Sequence, residues 1–131
     1  MNDFPSNVKL LSTQRFFDGG KSSGNFENFN LALHVNDSSQ RVLENRKILN
    51  VHYDLQSNPV WINQTHSSIC VDASSIESIV EADASYTSKL KVVCGIMTAD
   101  CLPVFVSKKD GSMVGVAHAG WRGLVLSLIH I

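Results

Sequence analysis

TADCLPVFV (Thr98–Val106) and GVAHAGWRGL (Gly115–Leu124) are the two stretches that decide how this chain is interpreted. Each contains an apolar segment rich in β-branched residues, which is typical of a strand, and KDG at Lys109–Gly111 between them is a hairpin turn signal. Cys101 and His118 lie on these adjacent segments, beside tight polar turns. A thiol and an imidazole that emerge from neighbouring strands can meet in space.

A third candidate of the same chemical kind is His66, in WINQTHSS. Zinc binds imidazole nitrogen and thiolate sulfur well, and catalytic zinc keeps three protein ligands and one open position for water. Without a metal, the same cysteine and histidine could form a nucleophile–base pair. The three residues are far apart in sequence, so their spacing alone is weak support, and core or surface histidines remain the alternative.

The order of the other segments mixes hairpins with helices, which favours an α+β fold with a layered mixed β-sheet and flanking helices. Strands are predicted from runs of apolar and β-branched residues that are bounded by turn signals. They cover Phe29–Val35, Val60–Ile62, Ile69–Ala73, Lys91–Met97, Leu102–Val106 and Met113–Ala117.

One helix is predicted after Asp37, which resembles an N-cap with Gln40 three residues later. The helix should continue to about residue 51. Its apolar stripe is expected to include Val42 and Leu43, together with Ile48 and Leu49, whereas Glu44, Asn45 and Lys47 should face elsewhere.

The composition limits the class of protein. The chain has 131 residues, of which 44% are apolar, and a formal net charge of −1. This length fits one modest domain with enough apolar residues for a core. The near-neutral charge, without a basic block, argues weakly against nucleic acid as the main partner.

No apolar run approaches the roughly 20 residues that span a membrane, and the first residues lack the pattern of a secretory signal. We therefore expect a cytoplasmic protein with no membrane partner. The three cysteines are an odd number, which favours reduced thiols over a disulfide framework. The sequence leaves the oligomeric state open.

Six motifs in this order resemble the YfiH-like laccase-domain family, also called the multicopper polyphenol oxidase family. They extend from about Asp18 to Leu124 and read GGKSSGNFENFNLALHVND, a helix with Asn45-Arg46, WINQTH, EADASYT, TADCLPVFV and AHAGWRG. The resemblance implies a YfiH-like fold related to the catalytic domain of cytotoxic necrotising factors.

The sequence departs from the family pattern beside the motifs. Lys21 replaces a small apolar residue, and Asn36 and Ser67 each replace a glycine, which affects loop shape more than chemistry. Family members continue further, and VLSLIHI at the end of this chain resembles nothing in them. We therefore expect residues 1–124 to be the N-terminal part of a single domain. Residues 125–131 are expected to be a non-native tail in which His130 has no role.

The resemblance implies zinc as cofactor, with His66, Cys101 and His118 as metal ligands and the last two also as catalytic residues. It implies a zinc-dependent purine nucleoside phosphorylase with adenosine deaminase activity, acting on adenosine, inosine, guanosine and methylthioadenosine. Its small-molecule partners would be purine nucleosides and phosphate. Deamination needs an activated water at C6 of the purine, and phosphorolysis needs a phosphate aimed at C1′ of the sugar.

Two arginines are candidates for binding phosphate. Arg46, in the Asn-Arg pair of the helix, is counted as catalytic, with a solvated helix arginine as the alternative. Arg122 lies in Gly120-Trp121-Arg122-Gly123, where the glycines would allow close approach of the backbone and a helix start would add N–H donors for an anion. A structural arginine in the turn is the alternative.

Four other residues are candidates for positioning or proton transfer. Asp100 could orient a ligand or shuttle a proton, or it could cap a turn. Gln64 could position His66 or the base, or make a hydrogen bond at a strand end. Asn30 matches a family position and is expected to face the site. Trp121 is expected to pack in the core, with stacking on a purine as the alternative.

Three other functions remain open at this stage. A copper polyphenol oxidase is the first, although the blue-copper and trinuclear sites of such enzymes need more histidines than these motifs contain. A metal-free hydrolase acting on peptidoglycan precursors is the second, with Cys101 as nucleophile and His118 as base. An inactive fragment that merely contains the motifs is the third.

Overall fold

The structure is a computed structural model that describes residues 4–125. His130 and most of the predicted tail lie outside these residues, so the boundary at 124 stays a prediction. Leu10–Leu55 forms one compact unit, and the described residues on either side of it form a second. None of the helices in residues 4–125 is long and apolar enough to cross a membrane.

The second unit contains six strands and a short helix. The strands are β1 (Val60–Trp61), β2 (Cys70–Asp72), β3 (Ala84–Thr87), β4 (Cys94–Gly95), β5 (Leu102–Ser107) and β6 (Val114–Ala119). β1 and β4 form a parallel pair, and the larger sheet has the order β2-β3-β6-β5. Its β2–β3 pairing is parallel, and the pairings of β6 with β3 and β5 are antiparallel. This mixed sheet with few helices confirms the α+β prediction.

The predicted hairpin is confirmed and positions two of the candidate residues. Gly111 has a φ of 71°, which glycine adopts without strain, and its N–H donates to Lys108. The register pairs Leu102 with Ala119, so the end of β6 lies beside the start of β5. Cys101 immediately precedes β5 and His118 is the penultimate residue of β6, which brings them to the same end of the hairpin.

The other unit is built on α1 (Ser39–His52), whose buried face differs from the prediction. Val42 and Leu49 are buried as expected, but Leu43 is half exposed and Asn45 is completely buried. The Asn45 amide donates to Ser22 Oγ (3.0 Å) and to the Asn30 carbonyl (2.9 Å), and it accepts from the Lys21 N–H (2.8 Å). These bonds replace those that water would make, so a polar residue is tolerated in the core.

The predicted N-cap is also wrong by one residue, since Ser38 occupies the N-cap position of α1, without a capping hydrogen bond from its side chain. The Asp37 carboxylate instead accepts from Ser22 Oγ (2.6 Å) and Asn30 Nδ2 (3.0 Å). Desolvation opposes ionisation here, but these hydrogen bonds and that of the Ser38 N–H lower the pKa of Asp37 below its usual value. Asn36 just before it has a φ of 63°, in the left-handed region that favours glycine and that asparagine also adopts.

Two predicted strands are wrong or much shorter. Phe29–Val35 forms turns, because the Asn30 side chain bonds the N–H and carbonyl of Ala32 and so favours a local turn over an extended ladder. Lys91–Met97 contributes only the two residues of β4, and Lys91 has a φ of 65°, which no strand residue adopts.

The buried position of Asn45 carries a stability prediction. Asn45→Ala should lower the free energy of unfolding by about 1 to 3 kcal/mol, because the Ser22 hydroxyl, the Asn30 carbonyl and the Lys21 N–H each lose a hydrogen-bond partner. Chemical denaturation measures this change. The control is Gln40→Ala on the exposed face of α1, where the Gln40 amide donates to Glu44 one turn further along the helix, and its effect should stay within about 0.5 kcal/mol. Equal effects of the two substitutions would contradict the prediction.

Candidate metal centre

The ligand atoms of His66, Cys101 and His118 lie within 4.8 Å of one another. Cys101 Sγ is 4.0 Å from His66 Nε2, and the two imidazole rings have their centroids 4.9 Å apart at 71°. Around a tetrahedral zinc ion, with bonds of about 2.0 Å to nitrogen and 2.3 Å to sulfur, ligand atoms are about 3.3 to 3.6 Å apart. Small side-chain adjustments would therefore let the three groups hold one ion.

His66 is held in a tight turn just before β2. Its φ of 59° lies in the left-handed region, which a histidine adopts only when the surrounding structure holds it there. The N–H groups of Thr65, His66 and Ser67 all donate to the carboxylate of Asp83, at 3.1, 3.0 and 2.6 Å. The Ser67 hydroxyl adds a fourth bond to the same carboxylate at 2.8 Å.

His118 is buried in β6, and its ring is oriented by the same carboxylate. Nδ1 of His118 lies 2.8 Å from Oδ1 of Asp83. Desolvation of Asp83 favours its neutral form, but its bonds with His118, Ser67 and Thr65 outweigh this and lower the pKa of the carboxyl group. An ionised carboxylate only accepts, so Nδ1 carries the proton and Nε2 is left to bind a metal.

Cys101 is partly buried and has an acidic neighbour. Desolvation, and next the charge and hydrogen bond of Asp100, raise the pKa of the Cys101 thiol above its usual value. Such a thiol stays protonated near neutral pH unless a positive charge is bound close to it, and a metal ion supplies that charge. Asp100 therefore lies beside Cys101, and its role in orienting a ligand or transferring a proton stays a prediction.

Gly120 forms a wall of the site. A methyl group built on its Cα would lie 2.8 Å from His66 Cδ2 and 3.2 Å from Cys101 Sγ. Both distances are shorter than ordinary contacts, so a side chain at this position would displace His66 or Cys101. The space beside the two ligands is kept open by the absence of a side chain, which fits a bound ion. The donor set of two imidazoles and one thiol fits zinc or copper.

Gln64 and the residues after Gly120 also lie in this unit. The Gln64 amide donates to the Met97 carbonyl (2.7 Å) and accepts from the Met97 N–H (2.8 Å), so it aligns the segment that leads to His66. Trp121 is 69% exposed, so the prediction of a core position is wrong. The Arg122 guanidinium lies over its ring, 5.4 Å from the centroid.

Arg46 and Asn30 lie in the Leu10–Leu55 unit, where both make structural contacts. Nε and Nη2 of Arg46 donate to the Leu31 carbonyl at 2.9 and 2.8 Å. Partial burial lowers the pKa of Arg46. The Asn30 side chain bonds Ala32 and Asp37. These contacts do not test the phosphate-binding and substrate-binding roles expected of the two residues, which stay predictions.

The sequence reasoning missed Asp83. This residue is fully buried and accepts five hydrogen bonds from the segments that carry His66 and His118. The motif EADASYT contained it, and one signal was available. An acidic residue among small residues directly before a buried strand is costly unless it is paired, so such a residue invites a search for a partner histidine.

The sequence was compared with known proteins. Residues 9–130 match the family described as multi-copper polyphenol oxidoreductase laccase. A purine nucleoside phosphorylase of Haemophilus influenzae is 40% identical over 92% of this chain and 48% of its own length. The purine nucleoside phosphorylase YfiH of Escherichia coli is 39% identical over 95% of this chain and 51% of its own length.

Two solved structures are also similar to this chain in sequence and in fold. A Neisseria meningitidis protein superposes with a TM-score of 0.89 at 41% identity, covering 98% of this chain and 52% of its own. YlmD of Geobacillus stearothermophilus has a TM-score of 0.74 at 31% identity, covering 84% of this chain and 45% of its own. The chain thus spans about half the length of the relatives that it matches.

Proposed function

Because this chain belongs to the multi-copper polyphenol oxidoreductase laccase family, we propose that it is a zinc-dependent purine nucleoside phosphorylase that also deaminates adenosine. The observation that carries the proposal is that the ligand atoms of His66, Cys101 and His118 lie close together. The relatives that match this chain are named purine nucleoside phosphorylases, which supports the choice of reaction. The similarity to known proteins establishes the family and the fold of this chain. Its activity, substrates and metal are our proposal.

In this proposal the imidazoles of His66 and His118 and the thiolate of Cys101 would hold zinc. A bound zinc ion lowers the pKa of water towards about 7 and so provides a nucleophile near neutral pH. Asp100, beside the Cys101 thiol, is the candidate to accept and return a proton during deamination. Its exposed carboxylate can also exchange that proton with solvent.

Phosphorolysis requires other groups of the chain, which bind the phosphate and the purine. A phosphate oxygen forms a bond to C1′ of the sugar, the bond from C1′ to the purine nitrogen breaks, and the base leaves with the electron pair. Arg122 is the candidate to hold the phosphate, because its charge lies two residues after Gly120, which lines the site. The exposed ring of Trp121 offers a stacking surface for a purine.

Arg46, Asn30 and Gln64 remain candidates of lower rank. Arg46 is kept as a second candidate contact to phosphate, and Asn30 as a candidate contact to substrate. Gln64 acts through the backbone of Met97 and would support the approach to His66 rather than touch substrate.

A copper oxidase is the second candidate, favoured by the family description. Two imidazoles and one thiolate also suit a single blue-copper ion. Oxidation by a multicopper enzyme needs additional copper sites, however, and residues 4–125 contain one group of three ligating side chains of the kind that binds a metal. We therefore rank zinc above copper.

The metal-free hydrolase has one observation in its favour. Asp83 orients His118 as the third member of a triad would, with Cys101 within 4.8 Å of the imidazole. The raised pKa of the Cys101 thiol argues against it, because a nucleophilic cysteine normally has a lowered pKa.

The proposed function is tested with the zinc-loaded chain and inosine. Hypoxanthine and ribose 1-phosphate should form only when phosphate is present, chelation should stop the reaction, and zinc should restore it. Ammonia release from adenosine tests the deaminase activity separately. The full-length E. coli relative is assayed in parallel as the control.

Each alternative gives a different result in this assay. Activity in the relative with none in this chain would contradict the proposal and favour the inactive fragment. Full occupancy by copper together with oxidation of phenols would favour the oxidase. Activity that survives chelation but not alkylation of thiols would favour the cysteine hydrolase.

A further inference from the structure

We propose that Asp83 is a positioning residue of the metal centre, which sets the ring orientation of one ligand and the backbone conformation of another at the same time. The inference rests on the proposed function only in taking His66 and His118 as metal ligands. It does not depend on which reaction the centre performs.

The first step concerns the imidazole of His118. A neutral imidazole carries its proton on one nitrogen, and the other nitrogen is the one that can bind a metal. With Oδ1 of Asp83 2.8 Å from Nδ1, the proton is held on Nδ1 and the lone pair of Nε2 is kept available. The backbones of the two residues are also hydrogen-bonded, because the N–H of His118 donates to the Asp83 carbonyl at 2.7 Å.

The second step concerns the turn at His66. Three successive N–H groups, from Thr65 to Ser67, converge on one carboxylate, and His66 in the middle has left-handed φ. Successive amides in such a conformation form a concave site for an anion. Here the anion is the side chain of Asp83, so its charge stabilises a backbone that a histidine would otherwise avoid.

The two effects are inseparable because the two carboxylate oxygens divide the donors between them. Oδ1 accepts from His118 Nδ1 and from the His66 N–H. Oδ2 accepts from the Thr65 N–H and from both the N–H and the hydroxyl of Ser67. No neutral side chain of the same size can reproduce this pattern. The amide of asparagine has one acceptor oxygen, so its NH₂ group would face N–H donors in either orientation.

A purely structural role for Asp83 predicts something different. If Asp83 only stabilised the fold, its replacement would lower the free energy of unfolding, while the molecules that remained folded would bind metal as before. A positioning role predicts weaker metal binding in folded molecules. Metal affinity, measured under conditions in which the variants are folded, separates the two.

The test uses cobalt(II) as the metal probe, because its bond to a thiolate gives a charge-transfer band that reports Cys101. Asp83→Asn should weaken cobalt binding by about 10- to 100-fold, as is typical when a partner behind a metal ligand is lost. The matched control is Thr87→Ala, which removes a buried polar side chain at the other end of β3, where the Thr87 hydroxyl accepts from the Lys89 N–H. Thr87→Ala should change the affinity by less than about threefold.

Wild-type affinity in folded Asp83→Asn would overturn the proposal, as would equal losses in the two variants. If Asp83→Asn does not fold, a measurement on the unmodified metal-free chain decides. Nitrogen-15 NMR of the imidazoles should show the proton of His118 on Nδ1, and a proton on Nε2 would overturn the proposal. Normal cobalt binding in a chain that lacks nucleoside activity would refute the proposed function and leave this inference intact.

Discussion

Cys101→Ala is expected to abolish nucleoside turnover and to remove most of the bound zinc. Sγ of Cys101 is one of three candidate ligand atoms that lie within 4.8 Å of one another, and no other cysteine shares this cluster. Loss of a residue behind a ligand costs about 10- to 100-fold in affinity, so loss of the ligand itself should cost at least about 100-fold. Metal analysis of the purified protein and an inosine phosphorolysis assay measure the two effects.

Cys94→Ala is the matched control for this substitution. Cys94 lies in β4 opposite Val60, and burial raises the pKa of its thiol, which is the environment of a cysteine that acts as a small apolar residue. Zinc content and turnover should be unchanged in Cys94→Ala. Equal zinc content in the unmodified chain and in Cys101→Ala would remove Cys101 from the site.

The sequence predicted the hairpin and the extent of the helix well, because each depends on local signals. A turn with glycine between two β-branched runs determines the β5–β6 pairing, and regular spacing of Val42 and Leu49 determines the inner face of α1. The buried position of Asn45 could not be derived in the same way. Its partners are the backbone of Lys21 and Asn30, and no pattern within the helix specifies them.

The site was only partly predictable for a similar reason. Residue types and motifs selected His66, Cys101 and His118, but their spacing along the chain contains no information on distance in space. The structure brings their ligand atoms together through strand pairing and through Asp83, whose five bonds all depend on tertiary contacts. Trp121 shows the opposite error, since its size suggested burial and its position at the start of the short helix α2 (Trp121–Val125) exposes it.

Gly120→Ala is expected to weaken metal binding by about tenfold or more without unfolding the protein. The added methyl group would lie 2.8 Å from His66 Cδ2 and 3.2 Å from Cys101 Sγ, so at least one ligand must move. His66 has little freedom to do so, because Asp83 holds its backbone N–H in the turn. A shift of a few tenths of an ångström in a ligand atom should weaken binding, since the bond lengths of a metal site vary by only about 0.2 Å.

The backbone itself does not oppose this substitution, since Gly120 is not among the glycines with positive φ, so any loss reflects crowding of the ligands. The control is Gly115→Ala, because Gly115 is buried like Gly120 but lies within β6. Its methyl group would lie 3.1 Å from Val106 Cγ2 and 3.2 Å from the Ser85 carbonyl, which crowds the sheet but not the ligands. It should lower stability by about 1 to 3 kcal/mol and leave cobalt affinity unchanged. If both variants lost stability and only Gly115→Ala lost metal, the wall of the site would have to be placed elsewhere.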